Sequence, residues 1–182
     1  MVHVPEEQDA DRPRLALEHD GGLPDARQTG AMLDRVALAY SGYTRLGYHS
    51  KDHASDLVLE QVRLGSLYVV LKDALETAGA VLTLYDHREL LGGFVAQLND
   101  AMASMRRLGS PLPMYRNAVE ALSAPVRSGR ATTVKLTVIG DNNRILIIDK
   151  VAAEDIRKFL GKQPRSERGR NQHTREVRRP SG

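Results

Sequence analysis

The sequence has no cysteine and no tryptophan, and its aromatic residues are six tyrosines and two phenylalanines. Without cysteine there is no disulfide framework, no thiolate nucleophile and no cysteine-based zinc site. The scarcity of aromatics requires a core of Leu, Val, Ile, Ala and Met. No apolar run approaches the roughly 18 residues that a membrane-spanning helix needs, and residues 1–14 carry acids where a secretory signal would be basic and apolar. We therefore expect a cytoplasmic protein with no membrane span.

The charged residues are ordinary in number but segregated along the chain. Hydrophobic residues make up 41% and charged residues 27% of the 182 residues, as in a soluble domain with one buried core. Residues 1–27 carry a net charge of −4, whereas residues 161–182 carry +5. The polar ends lack the apolar content needed to fold alone. We expect a disordered acidic head (1–13), a single α+β domain (14–161) and a disordered basic tail (162–182).

Hydrophobic periodicity predicts an alternation of helices and hairpins. The spacing of Asp86 and Glu89 resembles a capping box and predicts that the strongest helix begins at Asp86. The order helix–hairpin–helix occurs at 26–107 and again at 113–160, which suggests a weak pseudo-repeat. We predict an α+β fold in which an antiparallel sheet of two hairpins, with an N-terminal strand as a further candidate, packs against four to five helices. The predicted strands are 14–19, 57–63, 67–72, 132–139 and 144–149, and the predicted helices are 25–43, 86–105, 113–123 (ending near Pro125) and 151–160.

The segment Gly140-Asp-Asn-Asn143 is the most polar point of the most apolar stretch. Gly, Asp and Asn tolerate positive φ and are typical of hairpin turns. A calcium loop would need more acids at fixed steps, and a phosphate-binding loop would need a helix after it rather than a strand. We interpret the segment as a turn. Residues 145–148 are apolar on both faces, which predicts an interior strand.

One short segment concentrates metal-ligand residue types. His49 and His53 are four residues apart, and Asp52 and Asp56 stand beside them, so these four could bind one divalent ion if the segment were helical. A metallopeptidase helix would need Glu where Ser50 stands, and neighbouring glycines favour a loop. A solvated connector is the better interpretation, and a small metal-dependent hydrolase or nuclease using these residues is the alternative.

Other candidates for chemistry have simpler explanations. Gly65-Ser66 lacks the surroundings of a nucleophile elbow and reads as a turn. Tyr40, Tyr43 and Tyr48 lie in and just after the first helix. We expect one or two of them to pack, with a base-stacking surface as the alternative.

The basic tail is the feature most suggestive of function. Arginine-rich segments of this composition attract phosphate backbones or other polyanions without sequence specificity. Our main hypothesis is a non-enzymatic interaction or regulatory protein, an accessory subunit with a protein partner or self-association, without cofactor or metal. A purely structural oligomer is a further alternative. The expected polyanion-binding residues are Lys162, Arg165, Arg168, Arg170, Arg175, Arg178 and Arg179.

Overall fold

The polypeptide alternates strands and helices in a computed structural model that describes residues 13–22, 25–47, 57–63, 67–73, 84–139 and 144–162. Five strands form one antiparallel sheet, and four helices accompany it within these ranges, which confirms the predicted α+β class. In chain order the elements are β1 (Arg14–Gly21), α1 (Ala26–Gly47), β2 (Leu57–Arg63), β3 (Leu67–Asp73), α2 (Leu84–Arg106), α3 (Pro113–Arg127), β4 (Ala131–Ile139), β5 (Ile145–Ile148) and α4 (Lys150–Lys162).

The N-terminal strand lies at the centre of the sheet, whose order is β2-β3-β1-β4-β5. Leu17 of β1 is opposite Val69 of β3 on one side and Leu136 of β4 on the other. The two hairpins therefore flank β1, and every neighbouring pair is antiparallel. The candidate N-terminal strand is therefore the element that joins the two halves of the sheet.

Helices cover one face of this sheet. Side chains alternate along a strand, so Leu15 and Leu17 point to the opposite face from Glu18. The inward residues of β1, β3, β4 and β5 belong to one hydrophobic core together with residues of all four described helices. On the other face, Ala16 is buried without joining that core, whereas Glu18 and Lys135 are partly exposed.

The longest apolar stripe in the sequence lies inside this core. Six residues of α2 on that stripe are buried, so the stripe packs within the chain and does not form an outer surface. They are Leu91, Phe94, Val95, Leu98, Met102 and Met105. None of the helices in the described ranges is long and apolar enough to cross a membrane.

Two predicted helix boundaries are wrong. Helix α2 begins at Leu84, two residues before the predicted start, so Asp86 lies inside its first turn. Helix α3 continues past the expected stop and contains Pro125, which is buried. Proline removes one backbone donor, yet the burial of Leu122 and Val126 on either side favours continuing the helix.

A non-glycine residue ends α2 in the left-handed conformation. Leu108 has φ 57°, and its N–H donates to the carbonyl of Met105 at 3.0 Å. The N–H of Gly109 donates to the carbonyl of Ser104 at 2.8 Å. These bonds define a Schellman motif in which leucine occupies the position that favours glycine, one residue before the glycine itself.

Strand β5 is an edge of the described sheet, so the prediction of an interior strand at 145–148 is wrong. Leu146 and Ile148 are buried, whereas Ile145 and Ile147, on the opposite face of the strand, are exposed. The side chain of Asn99 on α2 donates to the carbonyl of Ile145 at 3.1 Å and occupies part of the open edge. The prediction failed because a pattern of apolar side chains indicates burial but does not indicate whether the backbone is paired with a strand on each side.

Candidate functional site

Most residues selected from the sequence lie outside the described ranges. These include all four residues of the alternative metal site, His49, Asp52, His53 and Asp56, and the turn 140–143. Within the described ranges, no group of three or more His, Cys, Asp or Glu side chains is arranged to hold a metal ion. The metal-site hypothesis therefore stays a prediction. Of the polyanion-binding candidates, six also lie outside: Arg165, Arg168, Arg170, Arg175, Arg178 and Arg179.

The remaining candidate, Lys162, is the exposed last residue of α4. This helix is anchored through Ile156, Phe159 and Leu160, which are buried in the core. Asp149 caps its other end by accepting a hydrogen bond from the N–H of Ala152 at 2.8 Å. The basic tail therefore continues directly from a helix whose position is fixed by packing.

Residues 149–161, which are Asp149 and α4 up to Gly161, carry three acids and three bases, so this segment has no net charge before the tail begins. Arg157 contacts Glu154 at 2.8 Å, and Lys158 contacts Asp155 at 3.6 Å. Asp155 also lies 3.6 Å from Arg106 at the end of α2. The segment 149–161 is thus neutral, whereas the tail that follows carries an excess of arginine.

Polar contacts link the start of α1 and the residue after β1 to the residues that precede β4. Asp25 accepts a hydrogen bond from the guanidinium of Arg130, which precedes β4. The N–H of Gly22 donates to the carbonyl of Arg130 at 3.1 Å, and Gln28 lies within 3.4 Å of the Ser128 hydroxyl. The hydrogen bond from Arg130 is the main reason that the pKa of Asp25 is lowered from 3.8, and the N–H of Arg27 also lowers it. This ion pair explains the shift structurally.

His19 is the most unusual polar residue of the core. It lies near the end of β1, opposite Val134 of β4, and its side chain is 1% exposed on the helix-covered side. Neither ring nitrogen has a hydrogen-bond partner in the part of the chain that the structure describes. Thr29 and Gln28, in the first turns of α1, each have a buried side-chain oxygen that also lacks a hydrogen-bond partner among the described residues. Buried polar groups nearly always form hydrogen bonds, so a buried histidine without a partner among the described residues is expected to lower the stability of the fold.

Half of the aromatic residues meet where the helices cross. Tyr40 lies edge-on to Phe94 with ring centroids 5.2 Å apart, and Tyr43 lies 5.9 Å from the same ring. Burial raises the pKa of the nearby Tyr115, and the interaction with Tyr43 raises it further. Tyr40 is fully buried and Tyr43 partly buried. The prediction that one or two of the three tyrosines pack is therefore confirmed by Tyr40 and Tyr43, and Tyr48 lies outside the described residues.

Sequence reasoning missed an arginine site on α2. The guanidinium of Arg144, just before β5, contacts both carboxylate oxygens of Glu89 at 2.8 and 3.0 Å. It lies over Gly92, where an added Cβ would collide with it, and Tyr43 similarly lies over Gly93. Two adjacent glycines inside a strongly periodic helix were the available signal, because glycine in a helix marks close approach by another group.

Comparison with known proteins adds no functional constraint to these features. No family model, curated protein or solved structure matches the chain.

Proposed function

We propose that this protein is a non-enzymatic interaction or regulatory protein, an accessory subunit of a larger assembly, whose basic C-terminal segment contacts nucleic acid or another polyanion. The observation that carries the proposal is the change in charge where α4 ends. The helix pairs Arg157 and Lys158 with its own acids, whereas the segment from Lys162 onward has a net positive charge. Unbalanced arginines next to an anchored helix suit electrostatic capture of phosphates.

The experiment compares two full-length variants that lose the same number of positive charges. In the tail variant, glutamine replaces the seven bases Lys162, Arg165, Arg168, Arg170, Arg175, Arg178 and Arg179. In the control variant, glutamine replaces seven exposed bases of the folded part. These are Arg27, Arg35, Arg45, Arg107, Arg127, Lys150 and Lys158.

Fluorescence anisotropy with a labelled duplex, across a range of salt concentrations, measures binding by each protein. Seven phosphate contacts would give a slope of log K against log salt near −6, and fewer contacts a proportionally shallower slope. We expect wild type and the control variant to share a steep slope, and the tail variant to lose it. Salt-insensitive binding by wild type, or equal losses in both variants, would contradict the nucleic-acid part of the proposal.

A structural oligomer is the second candidate, and the exposed edge strand β5 favours it. Ile145 and Ile147 are large apolar side chains exposed at an edge of the described sheet. Exposed apolar edge strands tend to pair with another chain. Light scattering over a wide concentration range should then show a defined oligomer that Ile147→Lys dissociates. A monomer at high concentration would argue against this candidate.

A further inference from the structure

The interior of α2 contains an intrinsic weak point. Gly92 and Gly93 are adjacent, and each glycine in a helix interior costs roughly 1 kcal/mol relative to alanine. Both positions are crowded by side chains from elsewhere, Arg144 at the first and Tyr43 at the second. The glycines therefore lower the stability of the helix, and at the same time their lack of a side chain allows Arg144 and Tyr43 to pack closely against it.

The two adjacent glycines divide α2 into two parts, each of which has buried apolar side chains. C-terminal to them, Phe94, Leu98 and Met105 are among several side chains buried in the core. N-terminal to them, Leu90 and Leu91 are buried as well. The ion pair with Arg144 is made by Glu89, in the part that precedes the glycines.

We propose that Arg144 acts as a strap that holds residues 84–91 of α2 against the β4–β5 hairpin, and that this part of α2 opens as a separate unit when the strap is released. The side chains of Arg144 and Glu89 are 30% and 44% exposed, so dissolved ions can compete with the pair. The strap is thus a salt-sensitive conformational device built into the fold. It requires no role for the basic tail.

Hydrogen–deuterium exchange of the full chain, resolved by peptide, tests this proposal. We expect Arg144→Gln and Glu89→Gln each to accelerate exchange across 84–92 about five-fold, with 94–105 unchanged. That factor corresponds to about 1 kcal/mol, the upper value for a partly exposed ion pair. The double variant should accelerate exchange by less than the product of the two single factors, because both single changes break the pair between these two side chains.

Arg157→Gln is the matched control, because it breaks the pair with Glu154 on α4 and should leave exchange in α2 unchanged. In wild type, raising the salt concentration should accelerate exchange at 84–92, and in Arg144→Gln it should add nothing. Unchanged exchange in the variants, or acceleration spread evenly over α2 and α3, would overturn the proposal. If Arg144→Gln does not fold, the wild-type salt series decides alone, and salt-insensitive exchange at 84–92 would reject the strap.

Discussion

Replacing His19 by leucine should stabilise the protein, although it removes a buried polar residue. The ring of His19 is buried beside Val134, and both of its nitrogens lack a hydrogen-bond partner among the described residues. Each unsatisfied buried polar group costs about 1–3 kcal/mol. Leucine removes that cost and fills most of the same space. Because its shape differs from that of imidazole, we expect a net gain of about 1–2 kcal/mol.

Urea unfolding at neutral pH, followed by circular dichroism, measures this gain. With a slope near 2 kcal/mol per molar urea, the midpoint should rise by roughly 0.5–1 M with the slope unchanged. Ser123→Ala is the contrasting variant. Its hydroxyl is equally buried but donates to the carbonyl of Glu120 at 2.7 Å, so its removal should bring no comparable gain.

An unchanged or lower midpoint for His19→Leu would refute the reasoning. It would mean that the imidazole of His19 is hydrogen-bonded in solution and contributes to stability. A raised midpoint would instead establish that the protein retains a costly residue at this end of the sheet, and would make His19 the first position to vary in a binding assay.

Two further changes test the fold around this core. Leu108→Gly should stabilise by about 0.5–1 kcal/mol in urea unfolding, because it relieves a left-handed leucine at the cost of some unfolded-state entropy. Leu112→Gly is its control, since Leu112 is similarly exposed but has φ −53°, and an equal gain there would contradict the argument. The lowered pKa of Asp25 means that its pair with Arg130 stabilises the protein above pH 3.8, and that this contribution is lost as the pH falls further. Asp25→Asn should therefore be less stable than wild type at neutral pH, and the two proteins should become equally stable in acid. Urea unfolding at a series of pH values measures this, and a difference in midpoint that does not change with pH would disprove the assignment.

The elements that could be predicted are those with a strong local pattern. Alternation at Leu15 and Leu17 indicated β1, and the apolar stripe from Leu91 to Met105 indicated α2, because burial of one face imposes that period on the residues themselves. Boundaries failed where tertiary packing overrides local preference. Pro125 remains in α3 because the surrounding helix is buried, and Leu108 occupies a left-handed position with a glycine next to it.

Some features of the candidate site could be predicted from the sequence, and others could not. The change in charge at Lys162 is visible in the composition alone, and it still carries the proposed function. The pair between Glu89 and Arg144 joins residues 55 positions apart, so no local pattern could have associated them. The lack of hydrogen-bond partners for His19 among the described residues could not be predicted from the sequence either. An alternating strand shows that a residue points inward, but it does not show whether the ring nitrogens of a histidine there form hydrogen bonds.

By itself, the sequence determined that the chain forms helices and hairpins around an aliphatic core, and that its ends carry opposite charges. These properties follow from composition and from periods of two and 3.6 residues, which act over a few neighbours at a time. Only the tertiary structure decided that β1 is central, that β5 is an edge, and that Arg144 lies across Gly92. Those outcomes depend on which distant segments pack together, because the order of strands and the contacts of a side chain are properties of the whole core.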